Sequence, residues 1–392
     1  MRRAVIVGAG VAGLATALRL GRDGWETVVV ERAPRRRTGG YVVNLIGPGY
    51  DAAERLGLLP ALEARNLGLF TTVLVRADGR VKLTVPAEVA AAALGDRAVS
   101  VFRGDLESVL FDAVDTDIRF GTTVAALSEG PDAVDVVLSD GTTVTADLLV
   151  GADGVHSATR SAVFGDGSRH DLPYVVAAFN IPGGDKDRTA TTFIGPGRTA
   201  ALIDLGQDRS SAFFAYRCQN AETALRDGPV AALEEAFGDL GGGVPDALRH
   251  LARDPASAYF DAVSQVVMPQ WSTGRTVLVG DAAWCVTVFA GHGATLALAG
   301  ADQLGDALKD ALKDAPKGAL NDRLKDGLTD TLTDALNEDS NPLKRWEAGL
   351  RPAVMKRQAQ ARRGMRQYAP PTRFHVWLGD LAIRALAKKA RS

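Results

Sequence analysis

Cysteine is nearly absent: Cys218 and Cys285 are the only two, and they stand in unrelated contexts. Their placement excludes a disulfide framework and a cysteine metal site, and it fits a reducing, cytoplasmic setting. Charge of one sign is missing too. The chain has 45 basic and 47 acidic residues and a formal net charge of -2, so nothing electrostatic calls for nucleic acid or an anionic membrane as partner. The cluster Arg35-Arg36-Arg37 reads as a solvated loop, with a phosphate contact as the alternative. No uninterrupted apolar run approaches the roughly 20 residues that span a bilayer. The opening MRRAVIVGAGVAGLATALRL imitates a secretory signal, but glycines interrupt it and no clear cleavage region follows. No metal-ligand cluster and no Ser-His-Asp arrangement is evident. These absences lead us to expect a soluble cytoplasmic protein with no metal, nucleic-acid or membrane partner, either a monomer or a homodimer.

A chain of 392 residues, 46% of them hydrophobic, has room for two domains or one large composite one. AVIVG at 4–8 and ETVVVE at 26–31 read as buried strands around a helix over 11–23 stopped by Gly24, a βαβ opening that predicts a parallel sheet. Residues 48–65 and 105–114 read as helical, and 71–85 as a hairpin turning at Asp78-Gly79. Residues 132–154 read as two strands around Asp140-Gly141 and a third ending at Gly151. From about 170 to 270, short β-rich runs separated by Gly, Pro and Asp predict antiparallel sheet, with helices near 229–253. TVLVG at 276–280 returns to a buried strand, and the remainder reads as helical.

Three stretches carry chemistry. In GAGVAG, the spacing of Gly8, Gly10 and Gly13 between strand and helix allows a tight turn, close approach of backbone to a pyrophosphate, and close helix–strand packing. Ala12 belongs to the same turn. Glu31, with Arg32 beside it, ends the second strand about 20 residues on, where a carboxylate binds ribose hydroxyls. That favours a ribose without a 2′-phosphate, as at the adenosine end of FAD or NAD. The second stretch is GADGVHSATR, 151–160, which contains Asp153 and by itself also reads as a corner with Ser157 capping a helix. The third is GDAAWCVTVFAGHGAT, 280–295. Gly280 and Asp281 lie at a strand end, where ligands of open α/β sheets sit. Gly291, His292 and Gly293 open a helix whose first residues, Gly293, Ala294 and Thr295, offer free N–H groups to a group that becomes anionic.

In this order and spacing the motifs resemble those of the class A flavin monooxygenases, the p-hydroxybenzoate hydroxylase-like family, over essentially the whole chain. FRGDLESVL resembles that family's Arg-x-x-Leu element, which places Arg103 near the ribityl-pyrophosphate part of FAD. The resemblance implies Asp153 at the FAD and nicotinamide sites and Asp281 on the ribityl chain. It implies an α/β fold: a Rossmann-like FAD-binding domain with an inserted β-rich substrate domain and a helical C-terminal region. We assign 1–170 to FAD binding, with part of the substrate sheet near 71–100, then 171–270 to the substrate domain. Residues 271–303 return to the FAD-binding domain, and 304–392 form the helical region.

The activity so implied is an FAD-dependent hydroxylase. NADPH or NADH, as a transient co-substrate, reduces the flavin; molecular oxygen then forms a flavin hydroperoxide, which transfers one oxygen atom to an aromatic or polyketide-like hydrophobic molecule. His292 and Phe289 are the candidates at the flavin edge. Phe179, Phe193, Phe213 and Tyr216 either line the substrate pocket or are ordinary core. RTGGYVVNLIGPG, with Gly39 and Gly40, is where a mobile flavin-contacting loop would lie. A reductase of the geranylgeranyl reductase type and a non-redox FAD-holding protein are the alternatives. The sequence departs from the family at Trp284, where His is usual, at Val288, where Pro is usual, and at Thr295, where Asn is frequent. Between 304 and 336, leucine recurs at four-residue spacing, divided by Pro316. This reads as two surface helices, with a partner-binding helix as the alternative. PPTRFHVWLGDLAIRALAKKA reads as an amphipathic helix ending in basic residues and packed on the body, with membrane docking as the alternative.

Overall fold

The computed structural model describes residues 1–36, 40–68, 70–89, 95–184, 188–206, 210–314, 332, 335–336 and 341–389. Valine-rich runs with no polar residue to expose form the centre of a six-stranded sheet. Its order is Ser272–Thr273, Thr276–Leu278, Leu148–Gly151, Arg3–Val7, Glu26–Glu31 and Asp117–Phe120. All neighbours pair in parallel except the first two. Val7 lies opposite both Val30 and Gly151, and Gly151 opposite Leu278. Four strands therefore finish at one edge, and the segments that follow them (Gly8, Glu31, Asp153, Asp281) are brought together there, as open parallel sheets bring their ligands to the carboxyl edge.

A seven-stranded sheet stands against this edge, in the order Tyr259–Val266, Arg169–Ile181, Ser210–Arg217, Arg198–Asp204, Thr189–Gly195, Thr71–Val75 and Val81–Val85. It is antiparallel except where Thr71–Val75 joins Thr189–Gly195. Alternation along its strands sorts the aromatics. Phe179, Phe214 and Tyr216 go to one face with the helices Pro229–Phe237 and Val244–Leu251, and Phe193 packs against the same cluster. Tyr174, Val176, Phe213, Ala215 and Val263 go to the other, where they meet Phe289.

Three expectations change on contact with the fold. The 48–65 segment is two short helices, Pro48–Arg55 and Leu59–Glu63, parted where Gly57 adopts φ +58°. The stretch read as a mobile flavin loop holds a strand, Val42–Ile46, paired with Ala98–Phe102; residues 37–39 lie outside the described residues. The first leucines of the repeat are not on a surface helix. They continue the helix Gly293–Asp314, with Leu304 and Leu308 fully buried in the main core. Leu332 and Leu336 are buried as well, whereas Leu320, Leu324 and Leu328 lie outside the described residues.

Trp284 occupies that core. Its ring packs with Trp271 and Trp346 at centroid separations of 4.7 and 5.7 Å, and a Cβ on Gly300 would come within 2.9 Å of it. The residue where the family has histidine thus faces the helical C-terminal region, not the edge where the motifs converge. The long helix Pro342–Tyr368 is bonded to the strand and loop beside it. Trp271 N–H donates to Glu347 (2.8 Å), Gln358 donates to the Val266 carbonyl (2.7 Å), and Arg362 donates to Gln265 (2.6 Å). The last helix, Arg373–Lys389, packs on the body as expected, but with only part of its apolar surface. Val376, Asp380 and Ile383 are half-buried, but Phe374, Trp377, Leu378 and Leu381 are exposed.

Candidate active site

The glycine turn comes first. Gly8 adopts φ +108°, and a Cβ there would stand 2.5 Å from the Ala152 carbonyl oxygen; a Cβ on Gly13 would overlap the Gly8 carbonyl. These two glycines are demanded by packing alone. Gly10 differs, since a Cβ there would meet nothing nearer than Glu107 Oε1 at 3.8 Å and the Arg103 guanidinium at 4.0 Å. Its open side, at the start of the helix Val11–Arg22, faces the ion pair of Arg103 and Glu107. That is the space and polarity a pyrophosphate requires. Ala12 is buried against Gly280, whose Cβ would fall 2.6 Å from the Ala12 methyl.

Glu31 is held at the strand end by two backbone donors, Ala9 N–H to one oxygen (2.8 Å) and Ala33 N–H to the other (2.7 Å). Each oxygen keeps a lone pair for a further donor such as a ribose hydroxyl. Arg32 beside it is exposed.

Arg103 begins the helix Arg103–Ala113 and pairs with Glu107 one turn later at 2.8 Å. Burial works against its charge. The carboxylate of Glu107, the phenols of Tyr41 and Tyr259, and the carboxylate of Asp281 outweigh that and push its pKa up. Asp281 is closely surrounded by protein at the strand end, yet the residue keeps exposure to solvent. Burial raises its pKa, while Arg103 and a hydrogen bond with Cys285 pull the other way. Gly293 stands opposite: its Cβ would lie 4.0 Å from Asp281 Oδ1. Tyr41 and Tyr259 pack at 5.9 Å, and burial raises both phenols, so they are neutral donors.

At the helix start, Leu296 N–H reaches the His292 carbonyl at 2.9 Å, so the N–H groups of Gly293, Ala294 and Thr295 have no intrahelical partner. Thr295 is buried; its hydroxyl donates to the Asn44 carbonyl (3.0 Å) and accepts from Ile46 N–H (3.3 Å), which ties the strand Val42–Ile46 to the helix. Just before the helix the chain is strained. Thr287 is the only non-glycine among the described residues with positive φ, +85°, and Gly291 follows at +62°. The Thr287 hydroxyl and His292 Nε2 are buried without a partner. His292 Nδ1 engages the Ala290 carbonyl, so Nε2 is left as an acceptor, and burial lowers the imidazole pKa, which keeps it neutral. Phe289 is buried between Tyr368, stacked at 5.0 Å, and Tyr174, edge-on at 5.6 Å.

Asp153 is taken up by its own turn: it accepts from the Ser157 hydroxyl and from Thr159 N–H and Oγ1 (both 3.0 Å), while Ser157 caps the helix Ala158–Phe164. Sequence reading passed over three groups. Arg160 is buried and donates to Ala282 O (3.0 Å) and Val155 O (2.8 Å), bridging the second and third motifs. Glu107 had a signal, its i+4 spacing from Arg103 on a helix. Tyr259 had none, since it arrives from a strand of the other sheet.

The residues fit a flavin dinucleotide along their whole length: an acid for the ribose, an open glycine beside the Arg103–Glu107 pair, a carboxylate near Arg103, and unpartnered polar atoms at a helix start. The family model of the FAD binding domain matches residues 2–181. A flavin-dependent monooxygenase of an unknown prokaryotic organism is 32% identical over 308 residues, 76% of this chain and 79% of that protein. The chain belongs to the class A flavin-dependent monooxygenases. This monooxygenase is also 31% identical to the 3-amino-4-hydroxybenzoate 2-monooxygenase of Streptomyces cremeus, over 76% of each chain. The crystal structure of tetracycline destructase Tet(51) superposes with a TM-score of 0.81 at 25% identity, covering 100% of this chain and 96% of that one. The monooxygenase is an FAD-dependent enzyme.

Proposed function

We propose that the protein uses NADPH or NADH to reduce its FAD and inserts one oxygen atom into an aromatic or polyketide-like hydrophobic molecule. The observation that carries this reading is the nearness of Asp281 both to Arg103 and to the helix start at Gly293, where the N–H groups of Gly293–Thr295 have no intrahelical partner. Bound FAD supplies the redox chemistry: once reduced, it activates dioxygen.

The chain's own groups bind, orient and exclude water. Glu31 takes the adenosine ribose hydroxyls, with Arg32 at the rim. Gly8, Gly10, Ala12 and Gly13 and the helix they open face the pyrophosphate, and Arg103 neutralises it. Asp281, placed by Gly280, accepts hydrogen bonds from the ribityl chain. Gly291 turns the backbone so that the N–H groups of Gly293, Ala294 and Thr295 stand where negative charge develops on the ring. Asp153 and Thr295 act by holding their segments rather than through their side chains. The neutral His292 Nε2 accepts a hydrogen bond from a substrate hydroxyl, and Phe289, Tyr174, Val176 and Phe213 form an apolar wall that keeps water from the reacting carbon. We keep the division into an FAD-binding part, a β-rich substrate part over 171–270 and a helical C-terminal part as a proposal of the same kind.

The test is NADPH and NADH oxidation by the yellow protein over a panel of phenolic and polycyclic compounds, with product masses recorded. Oxygen-dependent gain of one oxygen atom is the expected result. Gain of two hydrogens without oxygen uptake means a reductase, and no nicotinamide oxidation with any compound means a non-redox role.

A further inference from the structure

The helix Arg373–Lys389 is amphipathic, yet it presents its apolar stripe to solvent. Phe374, Trp377, Leu378 and Leu381 follow the i, i+3, i+4, i+7 spacing of one helical face. They are 60%, 54%, 43% and 44% exposed, and Phe374 stacks on Trp377 at 5.9 Å. The helix is nonetheless anchored: Val376 and Ile383 are half-buried, and Asp380 pairs with Lys82 of the hairpin strand Val81–Val85. The outward stripe is therefore a fixed feature of the folded chain, not a helix that has failed to dock. Contiguous apolar faces of this kind on a soluble protein mark interaction sites.

What surrounds the stripe is cationic. Between helix and hairpin lies a cavity of about 700 Å³ lined by Arg76, Lys82, Arg373 and Arg384 beside Trp377 and Leu381, with Asp380 as its single acid. That acid is already spent on Lys82, leaving the three arginines as net positive charge. Arginines seated next to an indole and leucines form the pairing that an interfacial helix presents to a bilayer: headgroup phosphates meet the guanidinium groups while Trp, Phe and Leu enter the acyl boundary. The overall charge of -2 leaves the patch as a local, not a general, attraction to anions.

We propose that this face docks peripherally on an anionic phospholipid surface, with headgroups entering the arginine-lined cavity. It lies flat on the surface and does not cross it, since no helix among the described residues is long and apolar enough to span a membrane. The inference is independent of the flavin chemistry. It would allow an apolar substrate to be taken up from the bilayer in which it partitions.

The experiment is flotation of the full-length holoenzyme with phosphatidylcholine vesicles and with vesicles that also contain phosphatidylglycerol, flavin absorbance reporting an intact fold. The expected result is binding to the anionic vesicles at least about tenfold tighter than to the neutral ones, weakened by salt. Trp377→Ser with Leu378→Ser lowers binding about tenfold or more. Arg373→Gln with Arg384→Gln removes the preference for anionic lipid. The proposal is overturned if the wild type fails to float with either vesicle, if it binds both equally, or if the paired variants bind as the wild type does. It is also overturned if the protein is a dimer in light scattering that the Trp377→Ser/Leu378→Ser variant breaks, for then a second copy covers the face.

Discussion

The two ends of the cleft are built on opposite terms. At the adenosine end, Glu31 already holds two backbone donors, and Gly8 and Gly13 are packed so closely that no side chain fits. At the other end, Thr287 keeps a left-handed backbone, and its hydroxyl and His292 Nε2 are buried with no partner. An unmet buried acceptor or donor costs about 1–3 kcal/mol, and a β-branched residue at positive φ adds strain. The first end is complete as protein and needs only to be touched. The second leaves buried polar groups unmet. On the proposed binding mode, the cofactor's handle and its working end thus differ in how much the protein settles beforehand.

Substitutions can break that contrast. The largest effect is expected at Gly13. Gly13→Ala drives a methyl into the Gly8 carbonyl, costs about 3 kcal/mol or more of stability, and abolishes FAD retention, read by thermal melting and flavin absorbance. Gly10→Ala has open space, so it should leave the melting temperature nearly unchanged while weakening FAD binding about tenfold, a loss of ~1.4 kcal/mol. Next comes the substrate sheet. Phe179→Ala, on the helix-backed face, is expected to cost about 3–5 kcal/mol without moving KM for an accepted substrate. Phe213→Ala, on the face toward Phe289, should raise KM with a smaller loss of stability. Restoring the family's histidine by Trp284→His is expected to cost about 2–4 kcal/mol, since it leaves a cavity and a polar ring in a tryptophan cluster, with the flavin spectrum unchanged.

The smallest effect is electrostatic. Burial raises the Asp281 carboxyl above its unfolded value of about 3.9, so in protein stripped of FAD the ionised group costs stability. Below about pH 3.9 that cost is absent, because the group is protonated in both states; it appears as pH rises through the folded value. Stripped Asp281→Asn protein should therefore melt higher than stripped wild type at pH 7. The gap should close as pH falls toward the unfolded value, although the variant binds FAD more weakly. A melting curve of the variant that lies below the wild type at pH 7 would mean that Arg103 overcompensates the burial.

Much of this was legible in the sequence, and for identifiable reasons. Gly8, Gly13, Glu31 and Asp281 sit at strand ends whose apolar runs are unmistakable, and a parallel sheet brings such ends together whatever the rest of the chain does. The β-rich run of 171–270 was legible from its short alternating segments. Which face each aromatic took was not: Phe213 and Phe214 differ by one position, and register alone sends one to the cleft side and the other to the helices. Trp284 and Leu304 looked like local oddities, but both owe their place to packing against Trp346, Leu343 and neighbours far along the chain. Asp153 read as a ligand because its motif does. Its carboxylate has three donors within six residues, which agrees with the alternative reading of that stretch as a corner with Ser157 as cap.

The central claim is that FAD lies with its ribose on Glu31 and its ring at the start of the helix Gly293–Asp314, beside Asp281. A crystal structure of the FAD complex tests it most directly. The account expects the adenosine ribose hydroxyls within hydrogen-bonding distance of Glu31, the ribityl chain on Asp281, and the ring against Gly293–Thr295. A ring bound elsewhere, or that helix start filled by protein side chains while FAD is retained, would contradict it.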